Sequence, residues 1–225
     1  THPILRTRLV TIDATSHQVV LTPSASCLQW EQAPSSSDYL TRIQALSVVA
    51  GAPLSHYALI SEGESTVFIW TSHHALFDGW TVELLLDQLA QLYTQDLSPT
   101  ITPSYAQFVQ FIQNSDENAS RNFWASLVPQ EPPATFPRLP SAAYQPAAKV
   151  TCYRTISAAV PQGSNLTLAI LLRAAWSIVL ARYLDAEDVL YGLTLSGRDV
   201  PVPGIEHVVG PTITTLPINV HLDGE

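Results

Sequence analysis

Methionine is absent from this 225-residue sequence, cysteine occurs only twice, and positive charge is scarce. Ten Lys and Arg against 19 Asp and Glu leave a formal charge of -9, so the basic surface through which proteins displace counterions from phosphate backbones is missing. DNA and RNA are therefore not expected partners. Cys27 and Cys152 lie far apart with no CxxC or Cys/His spacing, which argues against a zinc site or a disulfide framework and suits a reducing cytoplasm. No apolar run is long enough to span a bilayer, and the opening THPILRTR lacks the charged-then-apolar order of a signal peptide. The expectation is a soluble cytoplasmic protein with no membrane partner. With no methionine and a first residue that falls in a strand-like segment, the sequence reads as a piece of a longer chain. Against these shortages stand 46% hydrophobic and 13% charged residues, enough to bury a core and unlike a disordered or collagen-like polymer.

Residues 4–10 and 18–21 are β-branched and apolar on either side of the polar stretch 11–17, which predicts a hairpin with a loop between. After the Ser- and Pro-rich loop 34–37, residues 38–50 predict a short helix ending at Gly51 and Pro53, followed by strands at 56–60 and 65–71. From Thr81 onward Val82, Leu85, Leu86, Leu89, Leu92 and Tyr93 recur at helical spacing, predicting a helix to Tyr93 with one broad apolar stripe. Further helices are expected at 104–113 and 117–127, before the proline-rich 129–146, which reads as a linker. Residues 150–156 are strand-like. Leu168, Leu172, Trp176, Val179 and Tyr183 set a helical period across 165–184, and strands at 189–195 and 213–222 flank a loop rich in Gly and Pro.

The sharpest local feature is the run Trp70-Thr71-Ser72-His73-His74-Ala75-Leu76-Phe77-Asp78-Gly79-Trp80, where a strand ends and a helix begins. Imidazole titrates near neutral pH, so His74 can take a proton from an attacking amine or hydroxyl, or orient that nucleophile. Asp78 follows four residues later, Gly79 can supply a positive φ for a sharp turn, and the helix after Trp80 directs its positive end at the loop, where an oxyanion would be stabilised. Spacing alone is equally met by an ordinary His-His loop in which Asp78 caps the helix that starts near Thr81. A metal site fits poorly, since adjacent histidines point apart in an extended chain and no third ligand stands at coordinating distance in sequence.

SHHALFDGWT resembles the HHxxxDG signature of condensation domains of nonribosomal peptide synthetases, in a form similar to that of fungal synthetases. THPILRT, PSYAQFVQF, YGLTLSGR and VVGPTITTLPINV resemble further signatures of that family, in the family's order, so the resemblance covers nearly the whole chain. The family's opening motif would precede Thr1 and its closing motifs would follow Glu225. The resemblance implies a chloramphenicol-acetyltransferase-like α/β fold of two α+β two-layer lobes with the active site in a tunnel between them. Residues 1–140 would be most of the N-terminal lobe and 141–225 the first part of a truncated C-terminal lobe.

It also implies that amide formation depends on His74, that His73 is structural, and that Asp78 shapes the loop through a salt bridge to Arg198. Gly79 matches the glycine whose backbone lies beside the reacting carbonyl, a position that a pure turn role explains equally well. The implied partners are donor and acceptor peptidyl carrier domains, with thioesters on phosphopantetheine arms, and an adjacent adenylation domain. No cofactor and no metal belong to the domain itself. The wording is also similar to terminal domains that release product by cyclisation. Thr1 stands where relatives often carry arginine and Asn219 where many do, departures that bear on donor or acceptor handling. A stand-alone coenzyme A acyltransferase with an HxxxD site, an epimerisation domain and a non-catalytic carrier-docking domain are the competing assignments. A chain cut in both lobes is expected to be poorly packed in the second and inactive by itself.

Overall fold

Pro3 sets the first element of the computed structural model, which describes residues 2–24, 28–94, 102–128, 136–141, 143–157, 160, 163 and 165–223. The fixed φ of proline suits the first position of a helical turn, so Pro3–Arg6 forms a 3-10 turn, and the strand expected from residue 4 begins only at Thr7. That strand, β1 (Thr7–Ile12), pairs antiparallel with β2 (Thr15–Val20), from Thr7 opposite Val20 to Ile12 opposite Thr15. Only Asp13 and Ala14 connect them, both at positive φ, 48° and 63°, the two-residue geometry that follows the twist of paired strands. Of the residues read as a loop at 11–17, all but Asp13 and Ala14 instead extend the ladder, on strand ends that are exposed.

The next sheet runs β3 (Gln29–Glu31), β4 (Ser55–Glu62), β5 (Ser65–Ser72), with β3 parallel to β4 and β4 antiparallel to β5. The two-residue period of β4 turns Ala58 and Ile60 inward against Tyr39 of helix α1 (Ser36–Gln44). Ser35 caps α1 by accepting from the Asp38 N–H. The helix stops at Gln44, short of the expected residue 50, because Val48 and Val49 are β-branched and Gly51 lies at φ +80°. Strand β3 is three residues long, too short for any periodicity to reveal, and its Glu31 pairs with Arg42 of α1 and with His56 Nδ1 at 2.9 Å.

Helices α2 (Gly79–Tyr93) and α3 (Tyr105–Gln113) follow. Leu84 and Leu85 of α2 pack on the buried cluster Ile4, Leu54, Leu76 and Val209, while Tyr105 and Phe108 of α3 pack on Val202, Ile205 and Val208. These elements, with residues 195–214, form one compact unit of the chain.

Residues 116–194 with 215–225 form the other. It contains α4 (Glu117–Leu127), α5 (Leu168–Leu184) and the sheet of β6 (Asp188–Leu195) and β7 (Thr214–His221), whose ends lie at the unit boundary. Leu180 and Leu184 bury against Val189. Thr167 caps α5, so this helix starts three residues later than its apolar period suggested. Residues 150–156 form no strand, and Val150 and Tyr153 are 82% and 92% exposed, since β-prone residues without a ladder partner leave their backbone to water. The loop 195–214 packs within the first unit. Cys27 and residues 129–135 of the linker segment lie outside the described residues, whereas Cys152 is free and exposed. Among the described residues no helix is long and apolar enough to cross a membrane.

An alanine at φ +63° carries a Cβ penalty that glycine lacks, so Ala14→Gly is expected to raise stability by about 1 kcal/mol, read as a higher urea midpoint at unchanged m-value.

Candidate active site

Strand pairing carries the chain to the edge of the site and then stops. Ser72 is the last β5 residue opposite β4, and the next N–H, that of His73, still donates to the Leu54 carbonyl at 2.8 Å. A 3-10 turn, His74–Leu76, follows, with His73 as its cap: the His73 Nδ1 accepts the Ala75 N–H at 3.1 Å. His73 thus spends its imidazole on holding the backbone. Leu76 is fully buried with Ile4, Leu54 and Val209, which pins the turn to the core. His74 is exposed on the same turn, its ring stacked on Phe77 with centroids 4.9 Å apart and planes 20° apart.

Asp78 sits behind this turn and is 1% exposed. Its Oδ1 accepts the Thr81 N–H at 2.8 Å, capping α2, and its Oδ2 accepts the Thr212 N–H at 2.9 Å. Arg198 Nη2 reaches both oxygens, at 3.3 and 3.4 Å, with its side chain 4% exposed. The structure therefore brings Asp78 and Arg198 together, and the capping arrangement that spacing alone allowed is also present on the same carboxylate. The amide bonds are the shorter contacts, so backbone donors hold the carboxylate in place and the guanidinium neutralises it.

Arg198 is itself tied down: Nη1 donates to the Ile205 and Val208 carbonyls, each at 2.8 Å, and Nη2 to that of Gly210 at 3.1 Å. The Trp80 ring lies 5.6 Å from the guanidinium carbon and its Nε1 donates to the Glu206 carbonyl at 2.9 Å. Thr81 closes the network, its hydroxyl donating to Gly210 O at 2.9 Å and accepting the Gly210 N–H at 3.1 Å. Burial by itself pushes the Asp78 carboxyl up, but the hydrogen bonds from Thr212 and Thr81, with the Arg198 charge, overcome it and hold the carboxyl below the usual range. Burial first, and then the Asp78 charge, push the Tyr105 hydroxyl up, so it stays a donor, here to the Pro211 carbonyl at 2.8 Å.

Gly79 differs from expectation. It is the first residue of α2 and has no positive φ, and a Cβ built there would meet nothing within 4 Å. The turn does not need a glycine; what glycine leaves is open space beside His74's loop and the first N–H groups of α2. Glycines that the packing does require are Gly197, where a Cβ would collide with the Thr212 backbone carbonyl, and Gly210, where it would collide with the Tyr105 ring. The sequence assigns no role to Thr81, Thr212 or Gly210: Thr81 is discoverable as the third residue after a capping Asp, and Thr212 and Gly210 lie in the segment VVGPTITTLPINV that carries the resemblance, but no spacing ties them to Asp78. Among the described residues no group of three His, Cys, Asp or Glu is placed to hold a metal ion.

An exposed histidine thus stands at a strand-to-helix junction on an α/β fold, braced by a buried carboxylate and guanidinium. The profile of the condensation-domain family matches residues 1–225. The chain belongs to that family. The nonribosomal peptide synthetase ungA of Aspergillus violaceofuscus is 38% identical over 226 residues, covering 99% of this chain and 2% of that protein. Among solved structures, SeMet-CT matches with a TM-score of 0.77 at 22% identity, over 99% of this chain and 52% of that one. The epimerization domain from the third module of tyrocidine synthetase B matches with a TM-score of 0.68 at 19% identity, over 99% and 57%. The chain thus spans a small fraction of the curated synthetase and about half of each solved chain. These structural likenesses are of fold, and the fold is the chloramphenicol-acetyltransferase-like one of condensation domains.

Removing one partner of a buried ion pair strands the other, so Asp78→Asn and Arg198→Ala should each cost about 3–5 kcal/mol, with a double mutant that costs less than the sum. Because the Asp78 carboxyl is depressed in the folded state, its contribution is present above the unfolded value near ~4 and is lost as pH falls through the lower folded value. Acid titration of stability should therefore flatten in Asp78→Asn. Gly79→Ala should leave stability unchanged or raise it by up to about 1 kcal/mol, whereas Gly210→Ala should lower it, both read by thermal denaturation.

Proposed function

We propose that this chain is the part of a nonribosomal peptide synthetase condensation domain that carries its amide-forming histidine. His74 accepts the proton of an amine as its nitrogen attacks a carrier-bound thioester carbonyl. The C–N bond forms, the tetrahedral oxyanion collapses, the C–S bond breaks, and the proton passes from the imidazole to the departing phosphopantetheine thiolate. An amine and a thioester react downhill, so holding the two together supplies most of the acceleration. The open space at Gly79 and the first N–H groups of α2 suit the thioester carbonyl and its developing charge. The observation that carries this reading is the exposure of His74 on a turn whose neighbours on either side, His73 and Asp78, are committed to holding the backbone.

The donor and acceptor in this reading arrive on peptidyl carrier domains, with an adenylation domain nearby in the same polypeptide. Tethering raises their effective concentration, so weak docking suffices and neither amino acid needs tight recognition. The domain needs no cofactor of its own. The test supplies the parent polypeptide with proteinogenic aminoacyl-phosphopantetheine thioesters as donor probes and amino acid methyl esters as amine probes, with product followed by mass spectrometry. His74→Ala should reduce transfer at least about a hundredfold with unaltered unfolding behaviour. Equal turnover by the variant would remove His74 from the chemistry, and coenzyme A thioesters working in place of the carrier-type donors would assign the chain to free acyl transfer.

A further inference from the structure

A histidine base is ordinarily oriented by a third group that bonds to its second ring nitrogen. His74 has none among the described residues: no hydrogen bond to its ring is formed, and the carboxylate four residues on is committed to Thr81, Thr212 and Arg198. The contact its ring does make is with Phe77, nearly parallel at 20° and 4.9 Å between centroids. Phe77 in turn leans on Trp70 of β5, at 5.7 Å and 54°, so the stack is anchored in the sheet. From this geometry we infer that Phe77, braced by Trp70, is the positioning residue of His74, and that ring stacking takes the place of the carboxylate that orients histidine in other sites. The inference rests on the proposed role of His74.

Stacking suits this task for a geometric reason. A face contact fixes the plane of the imidazole but leaves both nitrogens, which lie in the ring edge, free for an incoming amine and for the departing thiolate. A carboxylate partner would occupy one of them. An exposed histidine without the stack hops between rotamers in picoseconds to nanoseconds, and small misplacements of a reacting group are costly in rate. The turn itself is held by His73 and Leu76 and does not depend on Phe77, so loss of the stack frees the ring without dissolving the loop.

The test uses the parent polypeptide, the thioester and amine probes above, and diethyl pyrocarbonate modification of His74 followed by peptide mapping, with exposed His207 as internal reference. Phe77→Leu should lower turnover at saturating amine by about tenfold, the span of one aromatic contact, with KM for the amine unchanged. His74 should be modified several-fold faster relative to His207, and Phe77→Tyr should restore both readouts. If Phe77→Leu does not fold, Phe77→Met reads the same quantities. Unchanged modification of His74, or full turnover in Phe77→Leu while His74→Ala is inactive, would overturn the positioning role and leave the function standing. Full turnover in His74→Ala would overturn both.

Discussion

One buried carboxylate holds this site together. Asp78 is taken out of water almost completely, a placement that costs several kcal/mol unless the charge is paired and its lone pairs are filled. Both conditions are met by groups from three places in the chain: the first turn of α2, the backbone at Thr212 and the guanidinium of Arg198. Because Asp78 ends the short segment that begins at His73, fixing it also fixes the far end of the turn carrying His74. The near end is fixed by the sheet, through the His73 N–H on the Leu54 carbonyl.

The labour in the motif is therefore divided by geometry. His73 caps a turn, Leu76 plugs the core, Asp78 gathers the loop 195–214, and His74 meets solvent with its ring nitrogens uncommitted among the described residues. Gly79 contributes by what it lacks, an absence of side chain where the turn would accept one.

Caps and periodicity made much of the local structure legible, although the Pro3 turn and the Thr167 cap shifted two element starts by three residues. Helices 81–93, 104–113 and 117–127 came close to their observed bounds because caps and periodicity act within a few residues, and the β4–β5 pair followed from its apolar runs. Legibility failed where a partner decided the outcome. Residues 150–156 look like a strand but have no ladder to join, and the polar residues around Asp13 look like a loop but are joined by one. Strand β3 exists only because β4 lies beside it.

The same division runs through the site. The sequence by itself determined that His74 and Asp78 share one turn between a strand and a helix, and that Asp78 can cap that helix, because these relations span only a few residues. The resemblance named Arg198 as the charge that Asp78 meets, but no local relation does, and the tertiary structure makes the contact. Arg198 lies 120 residues from Asp78 and Thr212 lies 134 away, separations at which no spacing rule operates, and only the folding of the loop 195–214 onto α2 brings those donors to one pair of oxygens.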